Sequence, residues 1–186
     1  MYLTRLFCTA VAATALTGPA LSAQAAGQAP RSGWRAEFLK VFGDDEQKFV
    51  QLATATPWEK YAWRPGKDVR STCEVFLHIA GDNYLLAEPL GAKKPASVDY
   101  KTIESCPAGK EAVLATMKAS FAHFRGAVLA TADGDGDAMI EFFGSRISKR
   151  GLLFSVAGHT GEHLGQSIAY ARTNDIVPPW SQKPPR

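Results

Sequence analysis

His159 and His163 stand four positions apart in the stretch GHTGEHLGQSIAYAR, residues 158–172. In a helix, positions i and i+4 lie one above the other, so both imidazoles face one point. The stripe through them runs Leu152, Val156, His159, His163, Gln166 and Tyr170, apolar at its ends and polar in its middle. Two neutral imidazoles turned toward a helical interior are a ready pair of metal ligands. Gly158, Gly161 and Gly165 run alongside. Each costs a helix interior about 1 kcal/mol against alanine. Such a cluster implies a closely packed neighbour, or a geometry that matters more than helix stability.

A third imidazole comes from earlier in the chain. Ser71-Thr72-Cys73-Glu74 is a capping box that opens an apolar run carrying Val75, Phe76, Ile79, Leu85 and Leu86. On the face expected to hold Val75 and Leu85 sit His78 and, one turn on, Asp82. A lone inward histidine is ordinarily a core residue; an inward i/i+4 pair elsewhere argues for a ligand. His78, His159 and His163 together suit Zn(II), Ni(II), Fe(II) or Mn(II), and three protein donors leave positions open for water or substrate. Asp82 and Gln166, one turn from these histidines on the same faces, are candidates to orient the rings or accept a proton. His123, between Ala122 and Phe124, reads as structural or surface.

Competing motifs fail on spacing. His159-Thr-Gly-Glu162-His163 matches the inverted zinc-protease pattern H-x-x-E-H. Glu162, however, points about 100° away from the pair's face, and Asp175 is the sole side-chain carboxylate after His163. DGDGD at 133–137 resembles the start of a calcium loop but has Ala138 and Gly144 where a turn glycine and a bidentate glutamate are required. It reads as a solvated turn. No glycine-rich phosphate loop and no Ser/His/Asp arrangement is present.

The elements that must hold these residues are helical. Phe38, Leu39, Phe42, Phe49, Leu52 and Ala53 mark a first helix from Arg35 that ends before Pro57. Residues 57–70 are a Trp/Tyr/Pro-rich connection whose aromatics cap one end of the core. The second helix starts at Ser71, and a third runs from about Gly109 to Thr131 on Leu114, Met117, Phe121, Phe124, Val128 and Leu129. Residues 139–151 hold a short extended excursion, and the last helix covers about Leu152 to Thr173. The fold class is therefore all-α, a four-helix bundle with strand content close to nil. The link from Glu88 to Pro107, roughly 18 residues, can outreach the ~30 Å of one such helix. It permits an up-down-down-up order with a long crossover between helices 2 and 3. That order brings Cys73 and Cys106 to the same end, where they can form a disulfide; a simple up-and-down order keeps them a helix length apart.

The chain of 186 residues is 46% apolar with a net charge of +3, enough for one buried domain. No basic run appears, so no nucleic-acid partner is expected. Residues 1–26 read as a signal peptide: Arg5, an apolar run from Leu6 to Leu16, Gly18-Pro19, then Ala23-Gln24-Ala25. The expected protein is periplasmic or secreted, without membrane attachment after cleavage near Ala25 or Ala26. A leader (27–34), the bundle (35–181) and a tail (182–186) follow.

WRP at 63–65, Ser71-x-x-Glu74-x-x-x-His78, His159-x-x-x-His163-x-Gly165-Gln166 and Tyr170-x-Arg172 ahead of Pro178-Pro179 together resemble the DinB superfamily, over residues 35–181. The resemblance implies an up-down-down-up bundle with a three-histidine metal site at His78, His159 and His163. It also implies pairing into a homodimer. Characterised relatives include low-molecular-weight thiol S-transferases and a thiol-dependent isomerase. The export signal departs from those cytosolic enzymes, whose small thiols are scarce outside the cytoplasm. The expected function is divalent-metal binding with transferase chemistry, a thiol or water being activated against a small electrophile. The alternatives are a non-catalytic periplasmic metal-binding or stress-associated bundle, and a partner-binding bundle with vestigial histidines.

Overall fold

In α1 (Trp34–Ala55) the three- and four-residue steps of Phe38, Phe42, Phe49, Leu52 and Ala53 put every one of these side chains in the core. A computed structural model describes residue 30 and residues 32–182. The expected signal peptide, half of the leader and most of the tail lie outside the described residues. Phe42 is fully buried, with ring centroids 5.0 Å from Phe121 and 5.2 Å from Phe124. Burying a phenylalanine contributes about 1.5–3 kcal/mol, so this aromatic group accounts for much of the grip between α1 and α3 (Lys110–Ala130).

The connection after α1 folds onto the core end as expected. Tyr61 is 1% exposed and donates its hydroxyl to the Ala53 carbonyl at 2.8 Å. Its burial pushes the phenol far above the usual range. Ser71 then caps α2 (Thr72–Ala87) with the full reciprocal box: Ser71 Oγ accepts from the Glu74 amide, and Glu74 accepts from the Ser71 amide at 2.6 Å.

Helix α2 is buried nearly all round, between α3, α4 (Lys149–Thr173) and the crossover that follows it. Gly81 allows a close approach there: a Cβ at this position would sit 3.1 Å from a methyl of Ile103 in the crossover, which would have to give by a few tenths of an ångström. Leu85, expected on the core face with Val75, is 36% exposed. Ten residues advance a helix by 1000°, so position 85 has rotated about 80° away from position 75.

Cys73 in the first turn of α2 is bonded to Cys106, four residues before α3 begins. Lys110 at the start of α3 reaches the Thr54 and Thr56 carbonyls at the end of α1. Arg35 at the start of α1 reaches the Leu129 carbonyl near the end of α3. Tyr170, late in α4, meets the Arg70 carbonyl just before α2 at 3.2 Å.

The expectation of almost no strand needs one correction. Residues 139–148 form an antiparallel hairpin, β1 (Met139–Phe142) with β2 (Ser145–Ser148), turning at Phe143 and Gly144. Both turn residues have positive φ, 45° and 79°, the geometry of a tight two-residue hairpin. Ser148 then accepts from the Gly151 amide at 3.0 Å and caps α4, which starts three residues earlier than the sequence pattern indicated. The acidic turn at 133–137 does more than face solvent. Asp133 pairs with Arg35, Asp135 with Lys149 and Asp137 with Arg150. It is a turn without the calcium-loop pattern, and it ties the start of α1 to the start of α4.

Candidate metal centre

Helix α2 delivers His78 and helix α4 delivers His159 and His163 to one place. One donor atom from each lies within 4.8 Å of the others, so the cluster could hold a metal ion. The ring centroids are 4.5 Å apart for His159–His163, 4.7 Å for His78–His163 and 5.6 Å for His78–His159. Val156, Thr160, Leu164 and Ser167 seat the inner side of α4, and the three imidazoles are half-buried at the edge of that contact.

Each ring is oriented by an oxygen. Glu104 Oε1 lies 2.8 Å from Nδ1 of His78, and Gln166 Oε1 lies 2.7 Å from Nδ1 of His163. The Gln166 oxygen only accepts, so His163 carries its proton on Nδ1 and its Nε2 keeps the lone pair, while His78 faces a carboxylate oxygen at each ring nitrogen. Asp82 Oδ2 lies 2.6 Å from His159 Nε2 and 3.1 Å from His78 Nε2. Asp82 thus sits where nitrogens from two helices converge. The donor set is three imidazoles with a carboxylate against it, which fits a borderline divalent ion.

The local electrostatics differ between the paired histidines. The hydrogen bond with Asp82, aided by its charge, raises the His159 pKa despite burial. Burial lowers that of His163, helped by the neighbouring His159 and His78, and outweighs its bond to Gln166. Burial pushes the Glu104 carboxyl up, but hydrogen bonds from Arg70 and His78 and their charge hold it below the ordinary range.

The orienting groups join into a belt. Gln166 donates to the Tyr170 hydroxyl at 3.0 Å, and Tyr170 donates to the Arg70 carbonyl. The Arg70 guanidinium grips Glu104 through two bonds of 2.8 and 3.2 Å, and Glu104 closes the circuit on His78. Trp63 stands edge-on to Tyr170 with centroids 5.2 Å apart.

All the residues singled out by spacing, His78, Asp82, His159, His163 and Gln166, come together here. Glu104 and Arg70 were missed. Neither shares a helix face with a histidine, and only the Cys73–Cys106 pairing could have pointed to Glu104, two residues from Cys106. Glu162 is exposed, as expected from its angle. His123 packs on Tyr84 with centroids 5.0 Å apart, and its buried Nε2 finds no partner among the described residues. Of the two explanations for Gly158, Gly161 and Gly165, the close neighbour is not found among the described residues: a Cβ at any of them would meet nothing within 4 Å. These glycines line the outer, exposed side of α4.

Four helices around an inward cluster of three histidines define the class, and sequence comparison names it. The DinB superfamily profile matches residues 42–167, and the chain belongs to that superfamily. Solved structures are similar to it in fold. A DinB-like protein from Bacillus cereus has a TM-score of 0.67 at 16% identity, covering 76% of this chain and 93% of its own. A proposed DinB family member from Exiguobacterium sibiricum gives 0.60 at 19% identity, over 77% and 93%. A DinB-like protein from Bacillus subtilis gives 0.58 at 16%, over 79% and 99%. No curated protein matches the sequence.

Proposed function

We propose that this protein binds one divalent ion through His78, His159 and His163, and that it is an exported enzyme of the transferase type acting on a small electrophile. The observation that carries the reading is the approach of three donor atoms to within 4.8 Å of one another, from two helices. The ion, when bound, would supply a nucleophile at neutral pH by lowering the pKa of a coordinated thiol or water. Asp82 stands beside both His78 and His159 to take a proton, and Gln166 keeps the His163 ring turned with its Nε2 inward. Zn, Ni, Fe and Mn all suit such a donor set.

Several further points belong to the same reading. The contacts between helix ends, with the Cys73–Cys106 bridge, support an up-down-down-up order of the four helices. That bridge also supports an oxidising compartment, in keeping with the signal-like residues 1–26 and a periplasmic or secreted location. Val41 and Phe154, 48% and 75% exposed, flank an apolar groove of about 260 Å³ between α1 and α4. They support a homodimer through that face.

Elemental analysis of untagged protein tests the metal. One equivalent of ion in the native chain, lost in His159→Ala, is expected; a native chain without stoichiometric ion would refute the reading. A screen of thiols and water against small electrophiles then tests the chemistry. A large fall in melting temperature on chelation, with no turnover, would favour the non-catalytic alternative.

A further inference from the structure

The crossover between α2 and α3 lies against the metal-bearing helix at three successive points. Ile103 rests on Gly81, so close that a Cβ there would sit 3.1 Å from its methyl. Glu104 bonds Nδ1 of His78 at 2.8 Å. Cys106 is bonded to Cys73. Read along the crossover, the anchor points on α2 are 81, 78 and 73, so this strip of chain runs antiparallel to the helix and covers the back of His78. Arg70, just before α2, also holds Glu104, and the further ties are local, such as Tyr100 to Glu88 and Lys94 to the Val98 carbonyl.

The chemistry of the contact is specific. An anionic acceptor on Nδ1 fixes the imidazole tautomer and ring angle, and it makes Nε2 a better donor to a cation. His163 has a neutral amide in the equivalent place and His159 has none there, so Glu104 is the one full charge behind a ring. Arg70 holds that carboxylate in turn. Glu104 has no element of its own to sit on. It belongs to a turn-rich segment without helix or strand, so its place depends on what pins that segment.

We infer that Glu104 is a positioning residue for His78 and that the Cys73–Cys106 disulfide is what seats it, so that the oxidation state of this bridge sets how tightly the ion is held. This rests on the metal reading above. In the oxidised chain the crossover is fastened two residues from Glu104. In the reduced chain the two thiols part, and Glu104 must find His78 from a longer free segment at an entropic cost. The consequence is a protein that gains full affinity for its ion only after entering an oxidising compartment.

Competition titration of the full mature chain with Zn(II) and a chromophoric chelator provides the test, alongside nitrogen-15 NMR of the histidine rings in the metal-free protein. Glu104→Ala should weaken Zn(II) binding about 10–100-fold and shift the His78 tautomer balance toward Nε2–H, where Asp82 remains as acceptor, while Glu104→Gln should fall between it and the native chain. Cys73→Ala/Cys106→Ala should weaken binding in the native background and add little in the Glu104→Ala background, because both changes remove the same contact. Cys106→Ala alone, which leaves the buried Cys73 thiol in the core, is the gentler version should the double variant not fold. Unchanged affinity and tautomer in Glu104→Ala would overturn the inference and leave the metal reading standing. Equal losses from the cysteine change in both backgrounds would show that the bridge does not act through Glu104. A native chain that binds no Zn(II) would remove both readings.

Discussion

Replacing both Cys73 and Cys106 by alanine is the perturbation whose size follows most directly from the fold. The bridge spans 33 positions, closing a loop that contains nearly all of α2 and most of the crossover. Loop-closure entropy for that length is worth ~3.7 kcal/mol at 25 °C, gained by constraining the denatured chain. Cys73 is fully buried, so losing its sulfur adds a packing cost, held to about 1 kcal/mol by the small volume removed. The entropic part dominates. For roughly 150 ordered residues the unfolding entropy is about 0.3 kcal/mol per degree, so the melting temperature should fall by about 12 °C. The assay is calorimetry with chelator present throughout, which keeps ion binding out of the comparison. Denaturant unfolding should also give a larger m-value, because the unbridged chain exposes more surface when it unfolds. A variant melting within about 3 °C of the native chain, with the same m-value, would refute the reasoning.

Gly161→Ala should stabilise the protein by about 0.5–1 kcal/mol, since a Cβ there meets nothing within 4 Å and the residue is helical; chemical denaturation reads this, and a loss of stability would count against the exposed placement of that face. Acid should weaken the cap of α2. Hydrogen bonds from Ser71, with help from Arg64, hold Glu74 below its ordinary 4.5. A group whose folded pKa is depressed contributes stability above the ordinary value and loses it as pH falls through the folded value. The melting curves of the native chain and Glu74→Gln should therefore differ near neutrality and converge as pH falls from the ordinary 4.5 through the lower folded value. A gap that stays constant to pH 3 would exclude this role for the carboxylate.

Sequence alone went far where the signal was local. Four residues, Ser71 to Glu74, placed the start of α2 because a capping box is self-contained chemistry. The inward stripe of α4 placed His159, His163 and Gln166 because helical periodicity fixes which residues share a face. The hairpin at 139–148 was visible only as an extended stretch. Its turn is Phe143-Gly144 rather than Asn-Gly, and Phe143 at φ 45° gives no compositional warning. Leu85 was misplaced because a stripe carried over ten residues drifts around the helix. Glu104 was missed because the crossover has no period at all; its position comes from a covalent bond and a glycine on another element. Of the two readings of the α4 glycines, a close neighbour or a geometry that outweighs helix stability, only the second remains, because spacing cannot tell an approached helix face from an open one.

Those same glycines have a consequence for how the histidines behave in time. The turns carrying both imidazoles forgo about 3 kcal/mol of intrinsic helix preference relative to alanine, and nothing covers their outer side to replace it. Order along residues 158–165 is therefore borrowed from the inner contacts and from whatever bridges the two rings. A cation spanning one helical turn would quiet the breathing of that segment, and the segment's breathing would set how quickly the cation leaves. Amide exchange along α4 and ion release would then follow a single clock, with α3 and its aromatic core indifferent to both.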